Sequence, residues 1–231
     1  SLGMIMGTLI LTANAFGAGN LKACGPIWRR SLSYALLLGC FCVAVGYFGE
    51  ELLTLTGQTP DIAVNGGHIM WVVSLGLPGH LLFLSSVYFL EGIGRPTLGM
   101  MIMVAANLLN LLLNWLLIDG PLFAEPLGAT GAAWATTATR WFMAISLATI
   151  VWNLRDHHAF AIREKLAGGF QAWKELRRIG YAIGLSVGVE SIAFACLNTY
   201  AGWLGKIPSV REWIGPRAVQ NLAQHDYSIT E

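Results

Sequence analysis

Apolar stretches of nearly membrane-spanning length recur along the chain, at about residues 1 to 18, 31 to 49, 69 to 90, 97 to 118, 130 to 154 and 179 to 204. A membrane-crossing helix needs about 20 mostly apolar residues, so the pattern predicts six spans joined by polar gaps. Short gaps favour consecutive spans packed antiparallel in one bundle. The charges in the gaps are unevenly shared. Lys22, Arg29 and Arg30, then Arg95, then Arg155, Arg163, Lys165, Lys174, Arg177 and Arg178 all fall in alternate gaps. The gaps between, residues 50 to 68 and 119 to 127, carry Glu50, Glu51, Asp61, Asp119 and Glu125 and no Lys or Arg. Basic loops stay on the cytoplasmic side of a membrane, so the alternation predicts a multipass protein with its basic gaps inside.

Composition supports lipid as the solvent. Hydrophobic residues make up 55% of the chain and charged residues 12%, with a mean hydropathy of +0.58. A soluble surface usually needs about a quarter charged residues. The expected fold class is therefore all-α, a polytopic membrane helical bundle. A net charge of +1 supplies no field for nucleic acid, and no such partner is expected. The first span opens at a serine with no basic flank, which reads as a helix already under way in a larger protein rather than a signal peptide. Cys24, Cys40, Cys42 and Cys196 form no Cys-x-x-Cys pair and have no histidine at ligand spacing, so they read as small apolar fillers, with no metal site and no disulfide framework.

These features divide the chain into a transmembrane lobe over 1 to 154, a linker over 155 to 178, a further helix over 179 to 205 and a polar tail over 206 to 231. The linker mixes both charge signs with amphipathic spacing and predicts a cytoplasmic surface helix or a connection between two bundles. The tail breaks so abruptly from what precedes it that a change of reading frame or a truncation is expected to account for it. Trp28, Tyr47, Trp152, Tyr181 and Trp203 lie near span ends and suit an interfacial aromatic belt. Gly76, Pro78 and Gly79 interrupt the third apolar block, where a proline removes a backbone donor and predicts a kink. Small residues from Gly128 to Ala135 predict close helix approach.

A few polar side chains stand inside apolar blocks. Asn107, Asn110 and Asn114 recur at spacings of three and four, which puts them on one helix face about 60° wide. Two readings stay open: interhelical hydrogen-bond glue, worth roughly 1 kcal/mol per contact, or a cation or substrate site. Glu190 lies near the centre of its span, where a bare carboxylate costs at least ~2.5 kcal/mol. Such an acid is a candidate for binding a proton at one stage and a cation at another. Arg140 also falls within a span and needs an acid, carbonyls or water; a structural ion pair is the favoured role, because a fixed positive charge adds little to a cation cavity. No phosphate-binding glycine loop, Ser-His-Asp order or His-Glu-x-x-His motif is present, so neither ATP-driven transport nor hydrolysis is expected.

The segments LTANAFGAGN (11 to 20), EGIGRPTLGMM (91 to 101), NLLNLLLNWLLIDG (107 to 120), LGATGAAWATTATRW (127 to 141) and GLSVGVESIAFACLNTYAGWLG (184 to 205) resemble, in order and spacing, the multidrug and toxic compound extrusion (MATE) transporters of the NorM-like branch. The resemblance implies two six-helix lobes around a central cavity, with this chain matching helices two to seven: a partial N-terminal lobe plus the first helix of the second lobe. It implies that Asn110 and Asn114 belong to an N-lobe cation site, with Thr136 a weaker match on a later helix. It implies that Glu190 is the helix-seven acid of cation coupling, and leaves Asn107 as a substrate-cavity candidate. The activity implied is antiport, not enzymatic: export of small cationic amphipathic substrates across a bacterial plasma membrane, with H+ or Na+ as coupling ion and no other cofactor. The chain alone is not expected to transport. The alternatives are a lipid-linked saccharide flippase of related fold, which needs a basic cavity, and a non-transporting membrane remnant or partner subunit.

Overall fold

A computed structural model describes residues 5–55, 60–118, 127–164 and 174–204. The chain divides into two compact units, Ser1–Gly184 and Leu185–Glu231. The described residues form helices α1 (Gly7–Gly17), α2 (Leu21–Tyr47), α3 (Gly49–Leu55), α4 (Pro60–Leu75), α5 (Leu77–Gly92), α6 (Thr97–Ile118), α7 (Gly128–Trp152) and α8 (Lys174–Leu204). Leu21–Tyr47, Ala63–Gly92 and Thr97–Ile118 are long and apolar enough to cross a membrane. The other predicted spans coincide with α1, α7 and α8. Of these, α7 is diluted by Arg140 and a run of threonines.

Several predicted loops prove to be helix. Lys22, Arg29 and Arg30 belong to α2, because the chain reverses in one tight turn at Gly19, whose φ of 74° favours glycine, and is helical again from Leu21. Long basic side chains at a helix end reach polar surroundings without a loop to carry them. The acidic gap folds similarly, with Glu50 and Glu51 in the first turn of α3 and Asp61 in that of α4, where carboxylates suit the positive end of the helix dipole. Asp119 and Glu125 lie outside the described residues.

Of the 155–178 segment, predicted as a surface helix or a connection between two bundles, the described first part is not helical. Described residues 155–164 form turns, and Phe160, Ala161 and Ile162 are buried. The Phe160 ring packs against Phe16 of α1 and Phe89 of α5, and its carbonyl accepts the Gly25 N–H of α2 at 2.9 Å. Arg29 donates to the Glu164 carbonyl, and Arg95 pairs with Asp156 at 2.5 Å. Gly25 has no room for a Cβ, which would lie 2.3 Å from that Phe160 oxygen. Apolar side chains thus fold this stretch back onto its own lobe, and bases from three alternate gaps meet at one end, as the charge pattern predicts. Residues 165–173 lie outside the described set.

The core gathers on α2, α5 and α7 around Trp28, Phe89, Leu147 and Val151. Trp28 is 1% exposed and its indole N–H donates to Ser86 Oγ at 3.1 Å, so it is a core residue and not a belt anchor. Tyr47, Trp152 and Tyr181 are exposed as a belt requires. Among the cysteines only Cys24 is a buried filler; Cys40 and Cys196 are exposed.

A candidate cation site on the α6–α7 seam

Helices α6 and α7 pack closely because their contact is built from small residues. A Cβ on Gly131 would lie 2.6 Å from the Leu117 carbonyl oxygen, and Ala135, one turn on, is buried on the same face. Side chains along this seam are therefore brought within hydrogen-bond reach. Asn114 Nδ2 donates to Asn110 Oδ1 at 3.0 Å, and Asn110 Nδ2 donates to Thr139 Oγ1 at 3.3 Å. The Thr139 hydroxyl in turn donates to the Ala135 carbonyl at 2.8 Å, which leaves its lone pairs for Asn110. The chain of donors starts at Asn114, whose own Oδ1 is buried and has no donor among the described residues. A buried carbonyl oxygen without a partner costs about 1–3 kcal/mol, and a cation or a hydroxyl ligand removes that cost.

Of the asparagine trio, two members join the seam and one does not. Asn107 is exposed on α6, beside the apolar face that carries Val104, Leu108 and Leu111. Thr136 is half-buried and turns onto its own helix, its hydroxyl donating to the Ala132 carbonyl at 2.9 Å. The hydroxyl that meets Asn110 belongs to Thr139, one turn later and 6% exposed. Threonines three apart share a helix face, so spacing admits either, and only the register of α7 against α6 selects between them.

Arg140 has no acidic partner among the described residues. It leaves α7 toward α4, where Gly76 and Pro78 break the rod between α4 and α5 and the last carbonyls of α4 come within reach of α7. Three donors of α7 meet them. Thr137 Oγ1 reaches the Val72 carbonyl at 2.8 Å, Arg140 Nη1 that of Val73 at 3.3 Å and Trp141 Nε1 that of Leu75 at 3.0 Å. Glycines let the chains approach: a Cβ on Gly76 would sit 3.0 Å from Arg140 Cδ, and one on Gly39 of α2 would sit 2.5 Å from Pro78 Cα.

Residues 1–116 match the MatE family model. The chain belongs to the MatE family of transporters. Over 208 residues it is 36% identical to a probable multidrug resistance protein NorM of Caulobacter vibrioides, covering 90% of this chain and 44% of the relative. It is 31% identical to mouse multidrug and toxin extrusion protein 2, covering 95% of this chain and 37% of that protein. A solved multidrug resistance MATE family transporter of the MOP superfamily, in an outward-facing conformation, superposes with a TM-score of 0.71 at 22% identity, over 86% of this chain and 43% of that one. This MATE chain spans about half the length of the relatives it matches. A second model, for the Mu-like prophage major head subunit gpT, matches residues 182–231, a stretch that takes in most of α8 and the polar tail. The MATE fold and the apolar helices make the chain a multipass membrane protein.

In the second unit, Glu190 stands exposed on α8, flanked by exposed Val189 and Ile192, with Ser191 donating to the Val187 carbonyl at 2.8 Å. It has no hydrogen-bond or ion-pair partner among the described residues.

Proposed function

We propose that the chain is the cation-coupling part of a bacterial multidrug efflux antiporter, which exports small cationic amphipathic compounds in exchange for Na+ or H+. The observation that carries this reading is the half-buried Asn110–Asn114–Thr139 network with a buried, undonated carbonyl oxygen at Asn114, on a helix pair of a transporter family. Amide and hydroxyl oxygens are neutral and do not titrate near physiological pH, so this seam suits a hard metal cation such as Na+ and cannot store a proton. Glu190 is the group in the chain suited to bind either ion. Exchange requires only that coupling ion and exported cation differ in affinity for the inward-open and outward-open states. No covalent step is involved, and the activity is transport rather than catalysis. The printed names of the relatives, multidrug resistance and toxin extrusion proteins, support the substrate class.

Ethidium accumulation in cells that express the transporter containing this chain tests the reading. Asn110→Ala, Asn114→Ala and Glu190→Gln are each expected to raise accumulation toward that of cells without the transporter. Accumulation at the unsubstituted level in all three variants would remove these residues from the mechanism.

A further inference from the structure

Arg140 is a charged side chain inside a helix bundle whose only acceptor among the described residues is one carbonyl, at 3.3 Å. A guanidinium cannot discharge itself by losing a proton. The Val73 carbonyl orients it without neutralising it, so it stands as a permanent positive charge with no acid paired to it among the described residues. That charge lies on the same turn of α7 as Thr139, which closes the cation seam through Asn110. Adjacent residues differ by about 1.5 Å along the axis and 100° around it, so the guanidinium and the seam leave the helix in different directions. We propose that Arg140 is an affinity-determining residue for the coupling cation: its fixed charge repels an ion at the Asn110–Asn114 seam and keeps that ion exchangeable. The proposal rests on the seam being the coupling site.

Side chains that leave one helix turn in different directions end about 10 Å apart. At that separation and an effective dielectric near 20, repulsion between two unit charges weakens cation binding by roughly tenfold. An antiporter gains from this, because an ion bound too tightly is not released to the exported substrate. The clamp formed by Thr137 and Trp141 has a separate role. It holds α7 against the end of α4 without touching the guanidinium, so its loss leaves the charge in place.

The test is equilibrium binding of 22Na+ to the purified chain in detergent, with thermal unfolding followed in the same samples. Arg140→Gln is expected to tighten Na+ binding by roughly tenfold, Arg140→Lys to stay within about twofold of the unsubstituted chain, and Trp141→Phe to leave the affinity unchanged. Unchanged affinity in Arg140→Gln overturns the proposal. So does tightening of equal size in Trp141→Phe, since that substitution keeps the charge. Should Arg140→Gln fail to fold, Arg140→Lys still decides, because tightening despite a retained charge also overturns it. Absence of saturable Na+ binding in the unsubstituted chain would instead defeat the seam as a Na+ site, so the two failures are distinguishable.

Discussion

Helix α7 presents polar side chains to both sides, and the two sides differ in what accepts from them. Toward α4, Thr137, Arg140 and Trp141 meet backbone carbonyls at the glycine–proline break, so every one of these donors ends on the backbone of its neighbour helix. Toward α6, Thr139 meets only side chains, and the network ends with the Asn114 carbonyl oxygen undonated. The first arrangement is closed and structural. The second keeps an acceptor free in a buried place, which is what an ion site needs and hydrogen-bond glue does not. Polarity inside the membrane therefore does not by itself mark function.

The contrast is broken most severely at the close approach that supports the closed side. Gly39→Val places a side chain where even a Cβ would lie 2.5 Å from Pro78 Cα, and it is expected to cost at least about 3 kcal/mol, read as a collapse of the thermal midpoint in detergent. A smaller loss is expected from Thr137→Val. It leaves the Val72 carbonyl without its donor and costs about 1–3 kcal/mol, while 22Na+ binding at the seam survives. Asn114→Ala sharpens the comparison from the other side: stability changes by no more than about 1 kcal/mol, yet saturable 22Na+ binding disappears. Equal stability losses for Thr137→Val and Asn114→Ala, with binding intact in both, would make the two faces alike.

Much of this architecture is legible in the chain of residues. The apolar blocks place the helices, and the alternation of basic gaps anticipates that Arg29, Arg95 and residues 155–164 meet at one end. The asparagine spacing singles out the seam, and Pro78 marks the break. Other features escape such a reading for identifiable reasons. Residues 155–164 look like a surface helix because their charges are conspicuous, but burial of Phe160 and Ile162 outweighs them. Trp28 looks interfacial by its position, but Ser86, a residue 58 positions away, supplies its hydrogen-bond partner within the core.

Hydrophobic length and charge asymmetry determined, without any coordinates, that this is a multipass helical protein with an inside and an outside, because a bilayer acts on each segment separately. Which partner each intramembrane polar group finds was decided only by packing. Thr139 rather than Thr136 faces Asn110, and the Val73 carbonyl receives Arg140. Those choices depend on the rotation and height of α7 between α4 and α6, and helices of 3.6 residues per turn leave both undetermined until small residues and a broken rod lock them together.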